Sequence, residues 1–311
     1  MIRVFLIILF SVSLLWISEG QNVSVKDTSY TVWSALKKVK KKYPKVTLAK
    51  VDAKGVLMQE DVIFFSHKER DLHADLYRLT KNDKCDKPLV VLIHGGGWRS
   101  GNKSMMESLA QKLALQGYVT VAIEYRLSDE ATYPAAFNDI EDALDFFKLN
   151  AKQFQIDSNQ IVLLGCSAGA SLASLLAVTS EKHSIKALVN IDGIIDFTDH
   201  NESGKDLDPK EPSAGARFFG CTFKQCPEVW KEASAVNHVN KYAPPSLFVN
   251  SSISRFHAGR DAYVSVLKAN NIYYEIHILN DSPHSFWLFE PWFAETSHHI
   301  LHFLKIVLDE K

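Results

Sequence analysis

The chain predicts the α/β class, a mostly parallel sheet covered by helices on both faces, and three observations carry that prediction. First, from Leu89 onward, short runs that are apolar at every position alternate with stretches of helical periodicity. A strand buried on both faces needs an apolar residue at each position, whereas a half-exposed strand alternates. Second, two of these runs end abruptly in glycine-rich motifs, His94-Gly95-Gly96-Gly97-Trp98 and Gly165-Cys166-Ser167-Ala168-Gly169. Third, no internal repeat or low-complexity linker interrupts the 311 residues, so one domain with an insertion is the economical organisation.

Taken in order, Met1-Ile2-Arg3, the apolar run 4–16 and Ile17-Ser18-Glu19-Gly20 have the charge, apolar length and small residues of a secretory signal peptide over 1–20. The run is short for a membrane span, so cleavage after Gly20 is expected, with an uncleaved anchor as the alternative. No membrane partner is expected after cleavage. Residues 21–60 read as an N-terminal extension. Within it, Lys37-Lys38-Val39-Lys40-Lys41-Lys42 suits a solvated helix face, and attraction of an anionic substrate is the sharper alternative.

The main domain is expected over 61–311. It opens with antiparallel strands at 62–65 and 72–77, the second alternating Leu72, Ala74 and Leu76 with His73, Asp75 and Tyr77. Strands follow at 89–93, 118–124, 160–164, 187–191, 246–250 and 273–279. Helices are expected at 105–116, 135–150, 168–179 and about 259–269, with a last one ending near 308. Ile140, Leu144 and Phe147 are spaced to share one helix face. Residues 196–242, polar and punctuated by glycine and proline, read as an insertion over the sheet edge.

Hydrophobic residues make up 46% of the chain, enough to bury a full core, and a formal net charge of -1 argues against generic binding to nucleic acid. Export permits disulfides. Cys221 and Cys226, with four residues between them in one loop, are the pair suited to a small staple. Cys166 reads as a packed thiol and Cys85 lies in a polar turn; four reduced thiols are the alternative.

The chemistry centres on Ser167. A G-x-S-x-G between a buried strand and a small-residue helix is the nucleophile-elbow pattern, in which flanking side chains would collide with the neighbouring strand or helix. Upstream, the side-chain-free backbone of Gly95-Gly96-Gly97 can curl so that its N–H groups meet the oxyanion of a carbonyl substrate. Gly96, Gly97 and Ala168 are the expected donors. The bland alternative is a tight turn. A phosphate loop at Gly101-Asn102-Lys103-Ser104 is disfavoured because Asn102 separates the glycine from the lysine.

With both motifs in place, the chain resembles the α/β-hydrolase superfamily over about residues 89–308. Within it, the likeness is to hormone-sensitive-lipase-like carboxylesterases and secreted feruloyl, acetyl and pectin esterases. The resemblance implies an eight-stranded, mostly parallel sheet with a cap-like insertion, and ester hydrolysis without metal or organic cofactor. It also implies a histidine base in a loop after the last strand, where Asp281-Ser282-Pro283-His284-Ser285-Phe286 lies. His298 and His302, which could be imagined as a metal pair, read as an exposed helix face.

The chain departs from the esterase pattern at the acid, because Ser254 stands where an aspartate is expected. A serine cannot balance an imidazolium. Asp192, in Val189-Asn190-Ile191-Asp192-Gly193, is the preferred acid by likeness to pancreatic-type lipases; Asp261 is the alternative, and Asp281 a third carboxylate near His284. For substrate contact the candidates are Trp98, Arg255 and Trp287, with Trp292 a further aromatic. An arginine suits a uronate carboxylate, and an arginine paired with Asp261 is the bland alternative. The expected partner is an ester-bearing carbohydrate or other small ester.

Overall fold

The computed structural model describes residues 29–80, 85–200 and 212–309. The expected leader, 1–20, lies outside these, as do residues 201–211 of the expected insertion. Among the described residues no helix is long and apolar enough to cross a membrane.

After helix α1 (Val32–Val39) and the short strand β1 (Thr47–Leu48), the main sheet begins with β2 (Val56–Ser66) and β3 (Asp71–Leu79). The parallel part comprises β4 (Lys87–Ile93), β5 (Val119–Ile123), β6 (Ile156–Cys166), β7 (Ile185–Ile191), β8 (Ser246–Ser251) and β9 (Tyr274–Leu279). These eight strands run in the order β2-β3-β5-β4-β6-β7-β8-β9; β3 is antiparallel to both its neighbours and every later pairing is parallel. Helices α2 (Glu107–Ala114), α3 (Ala135–Leu149), α4 (Ala151–Phe154) and α5 (Ala168–Thr179) follow the early strands. In the insertion lie α6 (Ala214–Phe219) and α7 (Pro227–Glu232); α8 (Arg260–Ala269) precedes β9, and β10 (Phe289–Glu290) and α9 (Trp292–Asp309) end the fold.

The fully apolar runs earn their place by serving two cores. In β4, Leu89, Val91 and Ile93 join the layer of α3, α5 and α8, while Val90 and Leu92 join α1, α2 and α9 on the other face. Alternation on a strand, with both faces covered, therefore makes nearly every position apolar, and the polar exceptions, such as Asn190, Asn250 and Ser251, are buried with hydrogen-bond partners.

Three boundaries differ from expectation. Residue 61 falls inside β2, so the main sheet starts earlier than the expected domain boundary. Ala35, Val39, Val46 and Ala49 bury into the same core as α2 and α9, and β1 pairs with β10. The stretch 105–116 divides into a 3-10 turn at Lys103–Met106, capped by Asn102, and the shorter helix α2. The elbow strand reaches back to Ile156 and on to Cys166. In the insertion, Cys221 and Cys226 form a disulfide, while Cys85 and Cys166 are free thiols, exposed and buried respectively.

Candidate active site

Ser167 sits between the last residue of β6 and the first of α5 with φ 53° and ψ -120°, a backbone that side-chain-bearing residues rarely adopt. The sharpness of the turn has a steric cause. A Cβ on Gly169 would lie 2.2 Å from the carbonyl oxygen of Ile93, and one on Gly165 would lie 2.2 Å from that of Gly169. Helix α5 thus presses directly on the backbone of β4 and β6, and only glycine allows it. Ser167 N–H donates to Ile191 O at 2.8 Å, fixing the turn to β7.

His284 faces the serine from the loop after β9, with Ser167 Oγ and His284 Nε2 2.8 Å apart. On the other side of the ring, His284 Nδ1 lies 2.7 Å from Asp192 Oδ2. With Nδ1–H donated to the carboxylate, Nε2 presents its lone pair to the serine hydroxyl. Asp192 is fully buried, at the end of β7, with φ 52°. Its oxygens take three more donors: Ser251 N–H at 2.8 Å, Ser251 Oγ–H at 2.7 Å and Asn250 Nδ2 at 3.4 Å. A buried carboxylate needs such donors in place of water.

Asp261 and Asp281 do not reach the histidine. Asp261 accepts from Arg260 Nε at 2.8 Å, and Asp281 from Lys42 Nζ at 3.1 Å and Tyr43 Oη at 3.0 Å. The hydrogen bond from Lys42 holds the Asp281 carboxyl below its ordinary range. Ser254, where the esterase pattern has its aspartate, is exposed and opens a 3-10 turn. The strand-end residues before it, Asn250 and Ser251, hold Asp192 instead.

The glycine loop lies across from the histidine. Gly96 has φ 135°, and a Cβ there would fall 1.9 Å from Ser100 O, so the loop closes only without a side chain. Gly96, Gly97 and Ala168 line the same cavity of about 730 Å³ as Ser167 and His284. Among the described residues, the N–H groups of these three donate to no protein acceptor. They are thus available to an oxyanion forming beside Ser167.

The expected substrate contacts divide. Arg255 lines the cavity, its guanidinium 5.2 Å above the ring of Phe256. Trp98 also borders it but is only 5% exposed; its Nε1–H donates to Ala168 O at 3.2 Å and its ring stacks on Phe218 at 5.1 Å. Its main work is to tie the glycine loop to the elbow. Trp287 is a correction. It is buried outside the cavity lining and packs edge-on against His284 at 5.5 Å, because its 3-10 turn faces the α9 core. Trp292 packs against Tyr43 at 5.0 Å. Among the described residues no group of three or more histidine, cysteine or acidic side chains is arranged to hold a metal, and His299 stacks on His277 at 3.7 Å.

Sequence reasoning missed several neighbours of the site. Phe256 stacks flat on His284 at 3.6 Å and 5°, while Trp287 meets the ring edge-on. Tyr30, Lys38 and Tyr43 of the N-terminal segment line the cavity. No motif announces these, since each depends on which chain segments meet at the sheet edge. Burial pushes the Tyr30 phenol up to about 12 and raises the Cys166 thiol well above its usual range.

A family model described as BD-FAE matches residues 74–272, well over half of the chain. The chain belongs to the BD-FAE family. Esterase LipC of Mycobacterium tuberculosis is 27% identical over 229 residues, 67% of this chain and 54% of that protein. Probable carboxylic ester hydrolase LipM of the same organism is 28% identical over 238 residues, covering 71% and 52%. The chain therefore spans about half the length of these curated relatives. Among solved structures, esterase B from Lactobacillus rhamnosis aligns with a TM-score of 0.68 at 18% identity, covering 90% of this chain and 95% of that one. A truncated carbohydrate esterase from gut microbiota gives 0.67 at 18%, covering 81% and 98%. These likenesses establish the α/β-hydrolase fold. The BD-FAE match ends before β9, so His284 lies outside it.

Proposed function

We propose that this BD-FAE member is a serine carboxylic ester hydrolase acting through an acyl-enzyme. One observation carries the reading: Ser167, His284 and Asp192 form an unbroken hydrogen-bonded line, 2.8 Å then 2.7 Å, that opens into a cavity bordered by Gly96, Gly97 and Ala168. In the first step Ser167 Oγ attacks the ester carbonyl while His284 Nε2 takes its proton. The oxyanion is met by the N–H groups of Gly96, Gly97 and Ala168, and Asp192 stabilises the imidazolium. Collapse expels the alcohol, protonated by His284; water, deprotonated by the same histidine, then releases the acid and restores Ser167.

Ester-bearing polysaccharide is the proposed substrate, with acetyl, methyl or feruloyl groups as the substituents removed. The leader-like residues 1–20, the disulfide in the insertion and the fold shared with a carbohydrate esterase support an exported enzyme of this kind. Arg255 at the cavity offers a guanidinium suited to a uronate carboxylate. A general short-chain carboxylesterase is the second reading, favoured by the likeness to LipC and LipM.

A fluorophosphonate probe should label Ser167, and the label should vanish in Ser167→Ala. An unreactive serine would turn the reading towards a non-catalytic binding module. Pectin and xylan panels then separate the two esterase readings: release of acetate, methanol or ferulate supports the first. Fast cleavage of p-nitrophenyl acetate with no release from either polymer supports the second.

A further inference from the structure

We propose that residues 29–49 are a working part of the site, holding the loop that carries His284 and walling the cavity, with Tyr43 as the principal positioning residue. This rests on the hydrolase reading for its catalytic consequence. It goes beyond family membership, because the BD-FAE match covers residues 74–272 and leaves both the segment and the histidine loop outside.

The segment touches the loop on both sides of His284. Before it, Asp281 accepts from Lys42 Nζ and Tyr43 Oη. Next to it, Ser285 borders the cavity together with Tyr30. Beyond it, Ala49 N–H donates to Leu288 O at 2.9 Å, and β1 pairs with β10, Thr47 opposite Glu290 and Leu48 opposite Phe289. Tyr30, Ala35, Lys38, Val39 and Tyr43 meanwhile form one side of the cavity.

These contacts are unequal. The side chains of Lys42 and Asp281 are 71% and 78% exposed, so water and salt screen their attraction. The main-chain pairing anchors the far end of the loop, several residues from the imidazole. Tyr43 is the half-buried handle: its hydroxyl reaches the loop at Asp281 while its ring is held edge-on against Trp292 at 5.0 Å. Nucleophile, base and acid must hold their geometry to a fraction of an ångström, and a misplacement of about 1 Å can cost about a hundredfold in rate. A side chain that restrains the loop therefore acts on catalysis through His284.

The test uses the full chain, with Tyr43→Phe removing the hydroxyl and Tyr43→Ala removing the wall. Hydrogen–deuterium exchange of the 280–288 loop should quicken in both, whereas Lys37→Ala, an exposed position away from the cavity, should leave it as in the parent. With p-nitrophenyl acetate, Tyr43→Phe should lower kcat by about fivefold or more while KM stays within about twofold. In a His284→Ala background the same substitution should cost nothing further, since the pathway through the base is gone. Unchanged exchange overturns the clamp. A normal kcat, or an equal loss in the His284→Ala background, overturns its catalytic role. A parent chain inactive on every ester would refute the hydrolase reading instead, and the exchange measurement would still decide the clamp.

Discussion

The nucleophile side of the site is built within residues 89–170, from two strand ends and the turns that follow them. The relay side draws Asp192, Asn250, Ser251, Phe256 and His284 from three strand ends and their loops, with Tyr43 from the N-terminal segment. The first is held by steric exclusion, glycine backbone pressed on backbone. The second is held by hydrogen bonds and ring stacking between side chains far apart in sequence. Steric packing against backbone tolerates almost no change, whereas a network loses function by degrees as members are removed.

The largest expected effect separates the candidate acids. Asp192→Asn should lower kcat by about 10⁴-fold with the melting curve retained, while Asp261→Asn stays near the parent. Steady-state kinetics with p-nitrophenyl acetate checks both. A severe loss in Asp261→Asn would break the assignment of the relay side.

Next comes the steric side. Gly169→Ala forces a Cβ to within 2.2 Å of Ile93 O, which is backbone and cannot swing away. A loss of about 3 kcal/mol or more in denaturant unfolding is expected, or failure to fold. A variant as stable as the parent would mean that α5 can shift off β4, contrary to the tight contact described here.

Ser251→Ala tests the graded behaviour of the network. It removes the hydroxyl at 2.7 Å from Asp192 but keeps the main-chain donor and Asn250. A fall in kcat of about tenfold is expected, with Ser251→Thr retaining most of the activity. An effect as large as that of Asp192→Asn would show the relay to be all-or-none.

The smallest effect concerns pH. Burial, with His277 close by, holds His299 below the ordinary imidazole range, beside the strand that leads into the His284 loop. When unfolded, that ring protonates near about 6.5, so the unfolded state binds more protons as pH falls through that value. Stability should therefore drop on acidification from neutral pH. His299→Gln should flatten the dependence by about 2 °C or less in Tm, read by scanning calorimetry at pH 7 and pH 5. A steeper dependence in the variant would reverse the sign of this contribution.

Much of the nucleophile side was legible in residues alone. Helix α5 begins and ends where the pattern of small residues set it, and Gly165, Ser167, Gly169 and the His94–Trp98 loop stand as their spacing implied. Local sterics are written in adjacent residues, so a motif can carry them. The relay side was legible only in part. His284 was singled out by following the last strand, and Asp192 by likeness to a lipase arrangement. Trp287 was misjudged because an aromatic beside a catalytic loop has the same sequence appearance whether it turns to the cavity or to the core. The lysine-rich N-terminal stretch hid a cavity wall behind an exposed face, since Val39 packs inward on the same helix that shows Lys37 to water.

By itself, then, the sequence determined that a buried parallel sheet ends in a glycine-flanked serine opposite a glycine-rich loop, because apolar continuity and backbone crowding act over neighbouring residues. Tertiary structure alone decided that the end of β8 supplies donors rather than the acid, that Phe256 and Trp287 frame the histidine, and that the N-terminal segment closes the site. Those depend on strand order, with β7, β8 and β9 side by side and β1 paired to β10. Such an order brings residues into contact across distances that no local pattern encodes.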